Sequence, residues 1–263
     1  MKPRISSHQL ARLAAEMTDR DREIVAVLAR VKLASGDQLR RALWPESSPA
    51  DRRAARRTLE RLTRWRVLAR LERRVGGLGR GSSSWTYALD VAGQRLGDQA
   101  GARRPHLPRE MMWQHALTGA EAYVRLAERL RDTTVTLSAY QGEPESWRHF
   151  AGPYGEPLVL KPDAFVRLDG EAFVDSFFLE IDTGSQSRTV IRTKLDQYRR
   201  YAATNQEQQA EGVFPRVFFL TTTAARVELL DELVAALPPE VRRLFAVGLV
   251  CQVGRLLVPE ASS

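Results

Sequence analysis

The pattern of apolar and polar positions near the start of the chain predicts three short helices in succession. Behind Thr18 or Asp19, either of which can cap a helix, apolar residues recur at the spacing of one helix face. Residues 34–44 repeat this pattern over a shorter length. The third helix is expected to begin at Ser48, a capping residue, with Pro49 at its first position.

Two apolar segments, 66–75 and 85–89, flank a loop rich in glycine and serine, which is typical of a β-hairpin. Three helices followed by a hairpin is the order of elements in a winged helix-turn-helix domain, which we therefore expect over residues 18–97. Residues 1–17 are expected to form a short, poorly anchored leader. The polar, proline-containing segment 98–108 is expected to link this domain to a second one.

Residues 109–263 predict the order α-β-β-β-α-β-α-β, with one strand over residues 158–170 and a helix from about 187 to 209. This order implies a mixed sheet with helices on its faces. Asp169 and Gly170 stand between two apolar segments and are a hairpin signal, so the strands on either side should pair. The expected fold class is therefore α+β or α/β, with a winged helix-turn-helix domain followed by a mixed α/β domain.

The chain has 263 residues and a formal net charge of +8, and the positive excess lies in its first part. Residues 1–104 hold 23 basic and 11 acidic side chains, whereas residues 105–263 hold 17 and 21. This asymmetry favours a polyanionic partner for the first domain, although a GC-rich genome also enriches arginine over lysine. The single cysteine, Cys251, lies in an apolar run and is expected in the core. Since no signal peptide or long apolar run is present, we expect a cytoplasmic protein without a membrane partner.

Arginines concentrate on the third helix and the hairpin. A helix in this position of a helix-turn-helix domain enters the major groove of DNA. Arginines on the hairpin would lie near phosphates or a minor groove, and each neutralised phosphate would release counterions. A charged helix face that is merely solvated is the alternative. The candidate DNA-binding residues are Arg52, Arg53, Arg56, Arg57, Arg61, Arg64, Arg73, Arg74 and Arg80.

Three carboxylates in the second domain form a candidate metal site. Asp163 follows a proline at the start of one strand, and Glu180 and Asp182 lie on the next. Residues i and i+2 of a strand project to the same face, so Glu180 and Asp182 should point together. Converging carboxylates suit Mg²⁺ or Mn²⁺, which can activate water against a phosphodiester. Taken singly, Asp163 could be a turn residue and Asp182 a helix-approach cap.

The next predicted helix places Lys194, Gln197, Tyr198 and Tyr201 along one face. Lys194 could hold the scissile phosphate or orient the attacking water, and the two tyrosines could equally be core residues. Glu121, on the first helix of this domain, is a candidate for an additional catalytic carboxylate.

These features resemble the replication-relaxation proteins of actinobacterial plasmids and integrative conjugative elements, a family similar to the MobC-type relaxases. The most specific stretches are LKPDAFVRL and FFLEIDTGSQSRTVIRTKLDQYRRY. The resemblance implies a winged helix followed by a restriction-endonuclease-like domain of the PD-(D/E)XK type. Asp163 and Glu180 match the two acids of that motif, whereas Asp182 stands at the position of its lysine.

The resemblance also implies that Lys194, on the following helix, replaces that lysine. Gln197 and Tyr201 match a Gln-x-x-x-Tyr pattern seen in some of these nucleases. Because MobC-type relaxases are thought to nick DNA without a tyrosyl-DNA intermediate, neither Tyr198 nor Tyr201 is assigned as a nucleophile.

The leading hypothesis is a DNA-nicking endonuclease that uses Mg²⁺ or Mn²⁺, a relaxase or replication-initiation enzyme of a mobile element. The alternative is a non-catalytic DNA-binding accessory or regulator of replication or the relaxosome, with a degenerate nuclease domain, which Asp182 favours. A ligand-sensing transcription factor would instead need an apolar pocket. Expected partners are DNA at an origin of transfer or replication, other relaxosome or replication proteins, and a second copy of the chain in a homodimer.

Overall fold

The structure is a computed structural model of mixed α+β architecture. The residues that it describes are 5–46, 48–71, 85–97, 109 and 112–258. The chain divides into two compact units, Met1–Val124 and Arg125–Ser263. The predicted linker 98–108 lies outside the described residues, and the division falls within the helix that follows it.

The first unit combines helices with a small sheet. Its helices are α1 (Ser7–Glu16), α2 (Asp19–Val31), α3 (Gly36–Leu43), α4 (Pro49–Arg64), α5 (Val91–Leu96) and the first part of α6 (Trp113–Leu130). Its strands are β1 (Ala34–Ser35), β2 (Leu68–Leu71) and β3 (Thr86–Leu89). Strand β3 lies between β1 and β2 and is antiparallel to both, with Leu68 opposite Leu89. The predicted pairing of the two hairpin strands is thus confirmed.

The predicted helix starts of α2 and α4 are also confirmed. Thr18 caps α2, where its hydroxyl accepts a hydrogen bond from the Asp21 amide at 3.3 Å. Ser48 caps α4 in the same way, accepting from the Asp51 amide at 3.1 Å, and Pro49 is the first helical residue. Each cap satisfies an amide that the helix itself cannot pair.

Of the leader expected over residues 1–17, the described part, residues 5–17, is held by contacts with α5 and is not poorly anchored. Helix α1 packs against α5 and buries Leu13 and Met17. Arg95 of α5 also donates to the Ile5 carbonyl oxygen at 2.7 Å. A few apolar side chains in a polar segment are a weak signal of ordered structure in the sequence. They nevertheless anchor the segment once a second helix covers them.

The second unit is built on a larger sheet. Its helices after α6 are α7 (Arg188–Ala202), α8 (Gln206–Glu211), α9 (Ala224–Ala235), α10 (Pro239–Arg242) and α11 (Val253–Leu257). Its strands are β4 (Thr136–Gly142), β5 (Arg148–Ala151), β6 (Pro157–Leu160), β7 (Ala164–Asp169), β8 (Val174–Asp182), β9 (Arg216–Thr221) and β10 (Phe245–Leu249).

Five of the described strands form one mixed sheet, as predicted for this part of the chain, and their order across it is β10-β9-β8-β7-β4. Strand β7 is antiparallel to β4 and β8, while β8, β9 and β10 run parallel. Asp169 pairs with Val174, so the predicted hairpin turn is confirmed. The core between this sheet and helices α7 and α9 contains Phe178, Tyr198 and Phe219.

Three local predictions differ from the structure. The single strand expected over 158–170 is two strands, because Pro162 cannot donate to a strand ladder. The helix expected over 187–209 is divided into α7 and α8 next to Asn205, which adopts a left-handed conformation with φ of 57°. Cys251, expected in the core, is exposed. Among the described residues, no helix has the length and apolar character needed to cross a lipid bilayer.

Candidate active site

Asp163 and Glu180 lie beside each other at one end of the β7–β8 pair. Ala164 is paired with Leu179, and the Asp163 amide donates to the Leu179 carbonyl oxygen at 3.1 Å. The Asp163 carboxylate then accepts from the amide of Ile181, at 2.6 Å from Oδ2. The side chain of Asp163 thus extends the strand ladder onto the residue that follows Glu180, which brings the two carboxylates to the same end of the sheet.

Helix α7 covers Glu180 with two donors. Lys194 forms an ion pair with Oε2, and the Tyr198 hydroxyl donates to Oε1 at 2.6 Å. Glu180 is 2% exposed. Burial raises the pKa of Glu180 to about 7, and it outweighs the opposing effect of the Lys194 ammonium, while Asp163 raises the pKa further.

Burial also changes the pKa values of the two donors, Lys194 and Tyr198. Burial lowers the pKa of Lys194, but the charges of Glu180 and Asp163 outweigh it, so the pKa of Lys194 is raised. Burial and the Glu180 carboxylate raise the pKa of the Tyr198 hydroxyl well above its usual value. Lys194 therefore stays charged and Tyr198 stays protonated around neutral pH.

Asp182 projects to the same face of β8 as Glu180 but has different partners. Arg226 of α9 donates to its Oδ2 from Nε at 2.9 Å and from Nη2 at 2.7 Å. The Gly184 amide donates to Oδ1 at 2.6 Å. Within the described part of the chain, no group of three or more acidic, histidine or cysteine side chains is arranged to hold a metal ion. Asp182, predicted as a third metal ligand, is instead held by an arginine.

The two predicted supporting residues of helix α7, Gln197 and Tyr201, lie in different environments. Gln197 is exposed, whereas Tyr201 is buried and donates to Glu207 at 2.7 Å. Glu207 also accepts from Arg148 Nε at 2.6 Å. The helix face predicted to carry all four residues therefore carries Lys194, Tyr198 and Tyr201 without Gln197, and Tyr201 bonds to Glu207 rather than Glu180.

Glu121, the additional catalytic candidate, belongs to the first unit. It accepts two hydrogen bonds from Arg41, at 2.8 and 2.9 Å, and one from Gln38 at 3.2 Å. These contacts join α3 to the first half of α6. They give Glu121 a structural role in the first unit.

Most of the predicted arginine face of α4 is exposed. The exposed members are Arg52, Arg53, Arg56, Arg57 and Arg64. Arg56 also pairs with Glu60 one turn away, at 3.1 Å. Leu59 and Leu62 of the same helix are buried, so the arginines occupy the solvent side of an amphipathic helix.

Arg61 differs from the other arginines of this helix. Its Nη2 donates to both oxygens of Asp21, at 2.6 and 2.7 Å, and Asp21 is fully buried. The guanidinium also lies over the ring of Trp65, 5.1 Å from its centroid. Its main role in this structure is therefore to neutralise Asp21, which the prediction of a DNA contact did not anticipate.

Arg73, Arg74 and Arg80 lie outside the described residues, so their part in DNA binding stays a prediction. The strands that flank them present another basic group. Arg70 of β2 lies over the ring of Trp85, 4.2 Å from its centroid, and both side chains are exposed.

The sequence placed Tyr198 on the same helix face as Lys194, four positions away, but did not predict its hydrogen bond to Glu180. Arg226 was not predicted as part of the site. It has no local signal, because it pairs with Asp182 from 44 residues away. Only the packing of α9 on β9 and β10, next to β8 in the sheet, brings that pair together.

A model of the replication-relaxation family matches residues 25–217 of this chain. That span covers more than half of the sequence and includes α4, Asp163, Glu180 and Lys194. Neither a comparison with curated proteins nor one with solved structures finds a match.

Proposed function

The chain belongs to the replication-relaxation family, and from that premise we propose that it is a metal-dependent endonuclease that nicks DNA. Family membership supports a role in replication or DNA relaxation. The observation that carries the proposal of cleavage is the pair of carboxylates Asp163 and Glu180, held at one end of the β7–β8 pair with Lys194 beside Glu180. In this proposal the second unit is a nuclease domain of the restriction-endonuclease type.

The residues present fit Mg²⁺ or Mn²⁺. Both ions prefer oxygen ligands, and Mg²⁺ is commonly held by only one or two carboxylates together with substrate phosphates and waters. Asp163 and Glu180 supply two carboxylates. The pKa of the buried Glu180 is raised to about 7 although Lys194 lies beside it, so a further cation would stabilise its charged form. Asp182 is omitted from this ligand set because two nitrogens of Arg226 and the Gly184 amide already donate to its oxygens.

Each remaining residue has a defined part. When bound, the ion would supply a Lewis acid that activates water and offsets charge on the phosphodiester. Asp163 and Glu180 would hold it, and Tyr198 would fix the Glu180 carboxylate through its Oε1. Lys194 keeps its proton and would donate it in a hydrogen bond to a phosphoryl oxygen as negative charge develops.

The proposal is tested by nicking of a supercoiled plasmid that carries the DNA flanking the gene. Wild-type protein should convert it to open circles with Mn²⁺ or Mg²⁺ and not with EDTA. Asp163→Asn and Glu180→Gln should both abolish nicking, and Lys194→Met should reduce it by about a hundredfold or more. Asp196→Asn, which changes an acid on the outer side of α7, is the matched control and should nick as wild type does.

Two outcomes would reject the endonuclease. If wild type binds the plasmid but never nicks it, the non-catalytic DNA-binding accessory becomes the better explanation, with Asp182 in place of the lysine as its structural reason. If nicking survives in both carboxylate variants, the activity belongs to a contaminant or to another site.

We further propose that the first unit is a winged helix that binds the DNA. Helices α2, α3 and α4 followed by the paired strands β2 and β3 support this, together with the exposed arginines of α4. Arg53, Arg57 and Arg64 would contact the groove and phosphates, and the loop with Arg73, Arg74 and Arg80 would form the wing. A homodimer on a two-fold site and contacts with other relaxosome or replication proteins belong to the same proposal.

The salt dependence of DNA binding tests which arginines contact DNA. For each lost phosphate contact, the slope of log K against log salt should fall by about one. Arg57→Ala should show this loss. Arg61→Ala should instead lower stability because it leaves Asp21 buried without its cation. Equal slopes for Arg57→Ala and wild type would reject the α4 interface.

A further inference from the structure

Thr221 is a buried residue whose hydroxyl has no partner among the residues that the structure describes. It is the last residue of β9, is 1% exposed, and its Oγ1 makes no hydrogen bond to any described residue. A buried hydroxyl without a partner loses the hydrogen bonds that it makes with water in the unfolded chain. This cost points to a ligand that the hydroxyl serves.

The register of the sheet shows which way Thr221 points. Asp182 is paired with Thr221, and Glu180 with Phe219, in the parallel β8–β9 ladder. Phe219 packs in the core with Leu230 of α9, and side chains two apart on a strand share a face. Thr221 therefore projects to the side of the sheet that α9 covers, next to Asp182.

Helix α9 begins three residues after Thr221, and no side chain caps its N-terminus. Thr223 is the N-cap residue, but its side chain makes no capping hydrogen bond. Ala224 and Ala225, which follow it, are exposed. The amides of Arg226 and Val227 donate to the Thr223 carbonyl oxygen at 3.2 Å, so the amides of Ala224 and Ala225 are the ones without a partner among the described residues. These amides and the helix dipole favour an anion.

Arg226 adds a cation to the same place. Its Nε and Nη2 are used by Asp182 and by the Gln186 carbonyl oxygen, at 2.7 Å for the latter. Its Nη1 makes no hydrogen bond among the described residues, so two N–H donors remain. Asp182 thus orients Arg226 at the start of α9, which gives a role to the acid that replaces the expected lysine.

We propose that Thr221, the first amides of α9 and Arg226 form a binding site for a phosphate group. The site lies at the carboxyl ends of the parallel strands, where open α/β sheets bind ligands. The phosphate could belong to a DNA strand or to free inorganic phosphate. The DNA source rests on the proposed nuclease function, whereas phosphate binding itself does not.

In the DNA case the site would hold a phosphate close to the one being cut. Glu180 and Asp182 are separated by about 6.6 Å along their strand, from the rise per residue of a strand. A second anchored phosphate at that range would fix the course of the backbone past Asp163 and Glu180.

The test is a titration followed by NMR of the full-length protein in EDTA, with the amide signals of Ala224 and Ala225 as reporters. One arm uses inorganic phosphate, and the other uses a short single-stranded oligonucleotide. We expect saturable shifts, and about tenfold weaker binding in Thr221→Val, since a hydrogen bond to a charged group is lost. Thr221→Val keeps the side-chain shape and removes only an unpaired hydroxyl, so the variant should fold.

A second variant removes a different donor. Ala224→Pro deletes one amide at the first helical position, where proline is tolerated, and should also weaken binding while the Ala225 signal reports it. Thr193→Val, on an exposed part of α7, is the matched control and should bind as wild type does. Glu180→Gln should bind phosphate normally, so a failure of nicking would not affect this result.

The outcomes separate the two sources. Shifts with both probes, or with the oligonucleotide alone, support the site and its place on the DNA path. Shifts with inorganic phosphate alone support the site and overturn its role in DNA binding. Unmoved Ala224 and Ala225 signals in both arms, or equal affinity of Thr221→Val and wild type, overturn the proposal.

Discussion

Glu180 and Asp182 are two residues apart on β8, project to the same face of the sheet and are equally buried, each at 2% exposed. Their partners differ in kind. Glu180 receives one ammonium and one neutral hydroxyl from α7, whereas Asp182 receives two donors of the Arg226 guanidinium and a backbone amide. A side chain's face on a strand therefore does not determine its chemical role.

The two carboxylates differ in how strongly their partners hold them in the charged state. A guanidinium donates through a rigid planar fork and does not lose its proton, so the pair with Asp182 is a permanent structural link between β8 and α9. Glu180 has a pKa raised to about 7 by burial, so its charge depends on what lies beside it. A residue in that state is suited to exchange a proton or a cation, which a structural ion pair is not.

The largest expected effect comes from removing the permanent link. Arg226→Ala should lower the free energy of unfolding by about 3–5 kcal/mol, because Asp182 stays buried without its cation. Urea denaturation at neutral pH measures this. Arg188→Ala, which breaks an exposed pair with Glu232, is the control and should have a smaller effect. Equal losses in the two variants would show that the Asp182 pair is not the stronger link.

The second expected effect is a pH dependence of stability that comes from Glu180 and not from Asp182. Because its pKa is raised from 4.5 to about 7, the folded protein binds a proton more tightly than the unfolded chain does. This contribution to stability is fully present below pH 4.5 and is lost as the pH rises to about 7. In metal-free buffer, Glu180→Gln should remove that decline and Asp182→Asn should keep it. Unfolding curves at several pH values measure the free energy of unfolding. If it declines with pH in Glu180→Gln as it does in wild type, Glu180 is not the group responsible.

The smallest effect tests the neutral donor on Glu180. Tyr198→Phe should cost about 2 kcal/mol of stability, since a hydrogen bond to a carboxylate is lost, and should raise the pKa of Glu180 further. An NMR titration of the Glu180 carboxyl carbon reads the pKa directly. Tyr201→Phe, which removes a similar hydroxyl from Glu207 one turn later, should leave the Glu180 titration in place. The same shift in both variants would mean that the pKa responds to general loosening of α7.

The sequence was most informative where a signal acts over a few residues. The capping residues Thr18 and Ser48 each sit three positions from the amide that they bind, so the two helix starts were predictable. The turn after Asp169 determined which strands pair and hence that Asp163 would meet Glu180. Alternation along a strand determined that Glu180 and Asp182 share a face.

Predictions failed where the outcome depends on distant packing. The segment 1–17 is polar enough to suggest a loose leader, but α5 provides a surface that buries Leu13. In the sequence, Arg61 resembles the exposed arginines beside it on α4. Only its ion pair with the buried Asp21 of α2 gives it a different role. In the sequence, Glu121 is a candidate for an additional catalytic carboxylate. The structure instead pairs it with Arg41 of α3.

The sequence by itself determined most of the elements, their order and the positions of the charged side chains along them, because backbone geometry and local hydrogen bonds act over a few residues. Only the tertiary structure decided which cation each buried carboxylate receives: Lys194 for Glu180 and Arg226 for Asp182. The physical reason is that a buried charge must be neutralised by whatever element packs over it. Which helix covers which strand end is a property of the whole sheet, and no short stretch of sequence specifies it.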